Sequence, residues 1–447
     1  MKPSKPFKIS LILISSPVAL LLLCILTGFI VDRTSKPRLD AMKRASLQKL
    51  QASLPAGSDN AWQYYEEAID LARNIRPDAD RQEFIFGKIS ITPEIKRSIE
   101  ENHDVLEFLK SGSAQPHCVM LLDYRSGMFR RNPNLRNLRI ISQVLGARAL
   151  YELETGDNKR ALEDIFALMI IAKHIAVLSP TVLDQINAVS LLHWGSNIFS
   201  MGISSGTFSQ SELDSSIAFL ATIEKEWPPL YITLEKQIAA LKIYIASSSL
   251  SETADLVLLP HRGKTPSPLL RLLVRVRYWR FLFSPRQAFI AHFEFLDSIV
   301  AEMKQIEETN ASRGSWHVEQ VFPQFFQERI DLHRGRVRIP EIFTPKFTNI
   351  GLLFNLTKIR LLHSAALVAK YREETGSYPH DLSGFDIRIM TDPNTGIEWE
   401  YRILEDSAFL MTHGLYLNAT YDDIIIPLTR KGIADYLLQK RKNSNAE

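Results

Sequence analysis

The chain has 447 residues, a formal net charge of +3, 45% hydrophobic residues and two cysteines. A charge so close to balance gives no reason to expect a nucleic-acid partner. Cys118 is the sole cysteine after Cys24, so the bulk of the chain forms no internal disulfide and depends on apolar burial for stability.

From Ile9 to Val31 no side chain is charged, and at 1.5 Å per residue the stretch reaches roughly 35 Å, enough to cross the hydrocarbon core. Pro17 lies within it, and a membrane helix tolerates one proline where groups such as Ser15 and Ser16 take up the freed backbone. A cleaved signal fits poorly because the run is long and ends Thr27-Gly28-Phe29. A lipobox at Leu21-Leu22-Leu23-Cys24 fits poorly because Leu23 stands where a small residue belongs. The expectation is a retained single-pass anchor in the inner membrane. Lys2, Lys5 and Lys8 precede it and Arg33, Lys36, Arg38, Lys43 and Arg44 follow it, so charge counting does not orient it; a large domain behind an N-terminal anchor is commonly translocated. The predicted organisation is a cytoplasmic tail 1–8, a transmembrane anchor 9–31, a helical body 32–335, and a long helix plus antiparallel sheet over 336–447. The fold class is mainly α, with a small C-terminal α+β unit. Some 400 residues beyond the anchor call for at least two packing units.

Between Leu39 and Leu332 the chain reads as successive helices. Thr92-Pro93-Glu94 supplies a cap, a proline at the first helical position and an early acid ahead of an apolar run reaching Ser111-Gly112. Leu135 to Pro180 reads as a helical hairpin turning at Thr155-Gly156-Asp157. It resembles one tetratricopeptide-type repeat, with Ala149, Gly156, Ala161 and Ile165 in packing slots, though Glu152, Asn158 and Lys173 depart from the pattern. No second copy stands in register, and a solenoid needs about three. Ser209-Gln210-Ser211-Glu212 is a capping box, and Trp227-Pro228-Pro229 separates two helices.

The last hundred residues change character. An apolar-dense helix from Gly351 to Glu374 stops at Gly376, before Ser377-Tyr378-Pro379. A turn follows at Asp392-Pro393-Asn394-Thr395-Gly396. Ile397, Trp399, Tyr401 and Ile403 then alternate with Glu398, Glu400 and Arg402 as a half-buried strand, paired with Ala408–Met411 and joined by Ile424–Ile426.

Through Tyr371, Gly376, Tyr378, Pro379, Asp392, Pro393 and Gly396, this segment resembles the globular part of type II secretion pseudopilins: a long helix, a Tyr-Pro stop, an Asp-Pro-x-x-Gly turn and a short antiparallel sheet. The prepilin signal of that family is missing, and the apolar span lies over three hundred residues upstream. The whole arrangement also looks like a group of bacterial membrane-anchored envelope proteins, a resemblance that implies a location and no reaction.

Candidates for chemistry are sparse. Gly202-Ile203-Ser204-Ser205-Gly206 matches a hydrolase nucleophile string but lies between helices, so it reads as a connector. Of eleven histidines none forms a zinc-spaced pair; His292 with Glu294 and His317 with Glu319 are two apart and point apart on a helix. His174 and His193, in apolar helices, read as buried and hydrogen-bonded. Asp392, Asp422 and Asp423 offer too few oxygens for calcium and read as a solvated turn. No cofactor, metal or catalytic residue is assigned.

The one local anomaly is Leu256–Phe293, free of acids and rich in arginine. Arg271, Arg275, Arg277 and Arg280 with Tyr278 and Trp279 are candidate contacts to an anionic membrane surface. The alternative is a core helix whose arginines pair with acids elsewhere. The leading expectation is a non-enzymatic envelope protein: a binding or scaffold module whose partners are the bilayer, through 9–31, and another envelope protein. The alternatives are an envelope hydrolase whose site assembles only in the fold, or an accessory of a secretion or pilus assembly.

Overall fold

The computed structural model describes residues 30–31, 33–48, 60–72, 75–120, 133–178, 182–247, 285–313, 329–330, 332–333, 354–393, 397–404, 407–412 and 425–428. Residues 9–29 of the apolar run lie outside these, and among the described residues no helix is long and apolar enough to cross a membrane.

The chain is mainly helical, closing in a small antiparallel sheet. The helices are α1 (33–48), α2 (Ala61–Leu71), α3 (Ala79–Ile85), α4 (Pro93–Glu101), α5 (His103–Ser113), α6 (Pro133–Thr155), α7 (Asn158–Leu178) and α8 (Val182–Ser205). They continue with α9 (Gln210–Glu226), α10 (Leu230–Ser247), α11 (Pro285–Arg313) and α12 (Phe354–Thr375). The strands β1 (Glu400–Leu404), β2 (Ser407–Met411) and β3 (Ile425–Pro427) pair in that order, Tyr401 opposite Leu410 and Leu410 opposite Ile426.

Local chemistry sets the boundaries. Thr92 accepts from the Ile95 N–H and Pro93 opens α4. The expected single helix to Gly112 is broken at Asn102, whose side-chain amide turns back to the Ser98 carbonyl at 2.7 Å. α5 therefore starts afresh at His103. Gly156 adopts φ 86° between α6 and α7, and Gly376 adopts φ 78° after α12, both left-handed turns suited to glycine. Glu212 accepts from the Ser209 N–H at 2.8 Å, half of a capping box.

Two cores form. The first gathers α2 through α9, α12 and the sheet around Trp194, Tyr65, Phe84 and Phe199. α8 packs on α6, α7 and α12 and touches β3, which is why its sequence is apolar around most of its circumference. The second core joins Leu39 of α1, Leu234, Ile238 and Leu241 of α10, and Phe289, Phe293, Leu296 and Met303 of α11.

α12 and the sheet are built into the first core. Trp399, 4% exposed, donates its indole N–H to Ser364 Oγ at 2.8 Å and to the Ile389 carbonyl at 3.0 Å. Arg372 lies over the Tyr378 ring at 4.7 Å, and the Tyr378 hydroxyl donates to the Leu428 carbonyl at 2.6 Å. The Tyr401 hydroxyl donates to the Pro379 carbonyl at 2.9 Å. The Tyr-Pro stop is thus a clamp between the end of α12 and the sheet. The alternating face of β1 runs out of cover toward the hairpin: Trp399 is buried, Tyr401 half-buried and Ile403 exposed.

Candidate functional site

Polar side chains enter the helical body at several junctions among the described residues, the following three within the first core. The first lies where α5, α6 and α7 meet. Arg148 of α6 grips Asp164 of α7 with two hydrogen bonds, Nε to Oδ2 at 2.6 Å and Nη2 to Oδ1 at 2.9 Å. The Asp164 side chain is 1% exposed. From α5, Glu107 reaches Arg148 at 3.3 Å, and Lys110 lies 2.9 Å from Glu163 and 3.7 Å from Asp164. Glu152, one turn after Arg148, approaches it at 3.9 Å. Two cations face four carboxylates, of which Glu107 and Glu163 are about half exposed to water whereas Glu152 and Asp164 are enclosed.

Glu152 is shifted toward its protonated form by this enclosure. Burial, and then the Asp164 charge, push its carboxyl up to about 7, outweighing Arg148. Burial likewise raises Asp164, against the pull of Arg148. A carboxyl that binds its proton more tightly folded than unfolded makes folding take up a proton between about pH 4.5 and 7. Its contribution is therefore favourable at the acid end, is lost as pH rises through that window and is flat above it. Glu152→Gln keeps the neutral form at every pH. The expected result in unfolding titrations from pH 4.5 to 8 is a shallower decline between about pH 4.5 and 7 and a gain of ~1 kcal/mol at pH 8.

The second junction ties α2 to α7. The Tyr65 hydroxyl and His174 Nδ1 are 2.8 Å apart in the core. Burial pushes His174 down to about 3, Tyr65 well above its ordinary value, and the neighbouring Cys118 thiol upward. None of the three changes charge near neutral pH, so this cluster rigidifies the bundle and has no proton to pass.

The third junction is α12 itself. Toward α9, Arg360 meets Glu224 at 2.6 Å, and His363 stands 3.6 Å from the same carboxylate. Burial raises Glu224, but His363 and Arg360 together outweigh it and hold the carboxyl below its ordinary range. Toward α8, Lys358 Nζ contacts His193 Nδ1. Burial brings the Lys358 amine down to about 7; burial and then the Lys358 charge bring His193 to about 4. The Phe86 ring stands 5.1 Å from the imidazole.

His174 is buried and bonded as its apolar setting implies, whereas His193 is exposed at the edge of α8. Gly202 to Ser205 form the last turn of α8 instead of a connector, and the Ser204 hydroxyl is turned back to the Met201 carbonyl at 3.0 Å. Asp392, expected in a solvated turn, is 3% exposed and accepts from the Thr357 hydroxyl at 2.9 Å. Glu294 pairs with Arg38 of α1, while His292 of α11 is buried and its ring stacks 5.6 Å from that of His333. Among the described residues no group of three or more His, Cys, Asp or Glu side chains is placed to hold a metal ion. Arg271, Arg275, Arg277, Arg280, Tyr278 and Trp279 lie outside the described residues, as do His317, Glu319, Asp422 and Asp423.

Sequence reasoning passed over Arg148, Asp164 and Lys358. The available signal was an ionisable residue set inside an otherwise apolar helical run, which one sequence does not pair with its partner. No family model matches this chain, and no curated protein or solved structure is found similar to it.

Proposed function

We propose that the chain is a membrane-anchored envelope protein, held through residues 9–31 with 1–8 in the cytoplasm, whose helical body is a binding or scaffold module for another envelope protein. The observation that carries this reading is α1. Residues 30–31 are already helical, and within α1 Leu39 is 2% exposed in the core shared with α10 and α11. From residue 33 to Leu39 α1 advances ~9 Å, so a short stem separates the apolar run from the body. Such a stem supports a body carried close to the bilayer. Arg271, Arg275, Arg277 and Arg280 fall in the stretch joining α10 to α11, the two helices that share this core with α1. That position favours their contact with anionic headgroups.

The polar junctions support a rigid platform: they bridge α5 to α7, α2 to α7 and α9 to α12. The pseudopilin-like tail also supports a narrower reading, an accessory of a secretion or pilus assembly, in which α12 acts as part of the body because it lies in the body's core. Alkaline carbonate extraction tests the anchor. Full-length protein is expected to stay with the membrane pellet and a variant lacking residues 1–29 to be released; release of the full-length chain contradicts the anchor.

A further inference from the structure

α12 treats its cations differently on its two sides. Toward α9, Arg360 and Lys370 find the carboxylates of Glu224 and Asp214 at 2.6 Å each. Toward α8, Lys358 has an imidazole in place of an acid: Nζ meets Nδ1 of His193. Among the described residues no carboxylate forms an ion pair with it. Neither Phe86 nor β3 adds a titratable side chain there. Asn355 precedes Lys358 by three residues, and so neighbours it on the helix surface. Asn355 is 3% exposed and its amide nitrogen has no hydrogen-bond partner. Lys358 is half-buried and His193 exposed, which leaves the pair approachable from solvent.

A cation taken out of water without a counter-ion is disfavoured relative to the neutral amine, and lysines so placed serve as nucleophiles. Removal from water lowers both groups from their ordinary values, so the amine keeps a larger unprotonated fraction near neutral pH than an exposed lysine does. We propose that Lys358 is a covalent binding site for small carbonyl compounds, with His193 moving the proton and the unpartnered amide nitrogen of Asn355 one helical turn away. The amine lone pair forms the carbon–nitrogen bond as the carbonyl π pair moves to oxygen. His193 takes the proton released from nitrogen and returns it to that oxygen. Departure of water then leaves the imine. Amine and carbonyl compound become imine and water, and no oxidant or reductant takes part. The site does not depend on the scaffold reading.

The test uses full-length protein in detergent with 4-carboxybenzaldehyde as probe, sodium cyanoborohydride to fix the imine, and peptide mass spectrometry to locate the label. At pH 7, Lys358 is expected to label about tenfold or more faster than the exposed Lys88, Lys96 and Lys159, because an ordinary lysine is almost wholly protonated there. By about pH 10 the advantage disappears. Lys358→Met removes the fast label without shifting the unfolding midpoint, and His193→Ala slows labelling at pH 7 severalfold while Lys358 still labels at pH 10. Labelling of Lys358 at or below the rate of the exposed lysines at pH 7, reaction only after denaturation, or fast labelling that survives Lys358→Met each overturns the proposal.

Discussion

Asp164→Asn is expected to lower stability by about 3–5 kcal/mol, the effect of leaving a buried guanidinium without its counter-ion. The substitution keeps the shape of the side chain, so packing is not what changes. Arg148 loses the charge that accepts two of its hydrogen bonds, and neither replacement acid is well placed: Glu107 is half-exposed, and Glu152 lies 3.9 Å off in a setting whose burial disfavours its charge. Lys110 also loses a neighbour at 3.7 Å. The double variant Arg148→Met with Asp164→Leu removes both charges and is expected to recover most of the loss, because well-packed apolar residues often substitute for a buried pair at little cost. Unfolding midpoints of the two single variants and the double variant measure this directly. A loss below about 1 kcal/mol for Asp164→Asn would place the pair in solvent-like surroundings and contradict the packing of α5, α6 and α7 described above.

Trp399→Ala is expected to cost about 3–5 kcal/mol and to loosen the C-terminal sheet ahead of the bundle. Trp399 fills the seam between β1 and α12, and its N–H serves both Ser364 and the Ile389 carbonyl. Truncation opens a cavity in that seam and removes one of the bonds holding the residues after α12 to the helix. Hydrogen exchange should therefore accelerate first over β1, β2 and β3, with α6 and α7 protected as in the parent. Trp399→Phe keeps a ring in the seam and forfeits the N–H, for an expected loss nearer 2 kcal/mol. Equal acceleration of exchange in α6 and α7 would mean that the sheet and the bundle unfold as one unit.

The same packing bears on how the tail is studied. Removing 336–447 takes away α12, which supplies Ile359, Leu362, Ala365 and Ala366 to the first core. A truncation there strips the body of a wall, and point changes at Trp399 or Tyr378 perturb the tail more locally.

Much of the architecture is legible in the sequence because local rules govern it. Gly156 and Gly376 mark turns needing positive φ, Thr92 with Pro93 marks a helix start, and the alternation after Asp392 marks the strand that becomes β1. Errors arose where one side chain competed with the backbone at short range. Asn102 splits a run that periodicity reads as continuous, and the last turn of α8 absorbs a glycine- and serine-rich string because Gly202 lies against the Phe208 ring, closer than a side chain would permit. The polar junctions were hidden for a different reason. Arg148 and Asp164 are sixteen residues apart, whereas Lys358 and His193 are separated by 165. Neither contact follows from periodicity, because each depends on which helix faces which. Asp392 shows the same limit: its turn chemistry is local, but its burial depends on Thr357 reaching across from α12.

The measurement that tests the central claim most directly is cross-linking of the full-length protein in native membranes, followed by affinity purification and mass spectrometry. An anchored scaffold predicts recovery from the membrane fraction with a second envelope protein in stoichiometric amount, cross-linked to the helical body or to the α12–sheet unit. Recovery of the chain alone, without a stoichiometric partner, would contradict the scaffold reading and leave Lys358 as the point from which to search for a substrate.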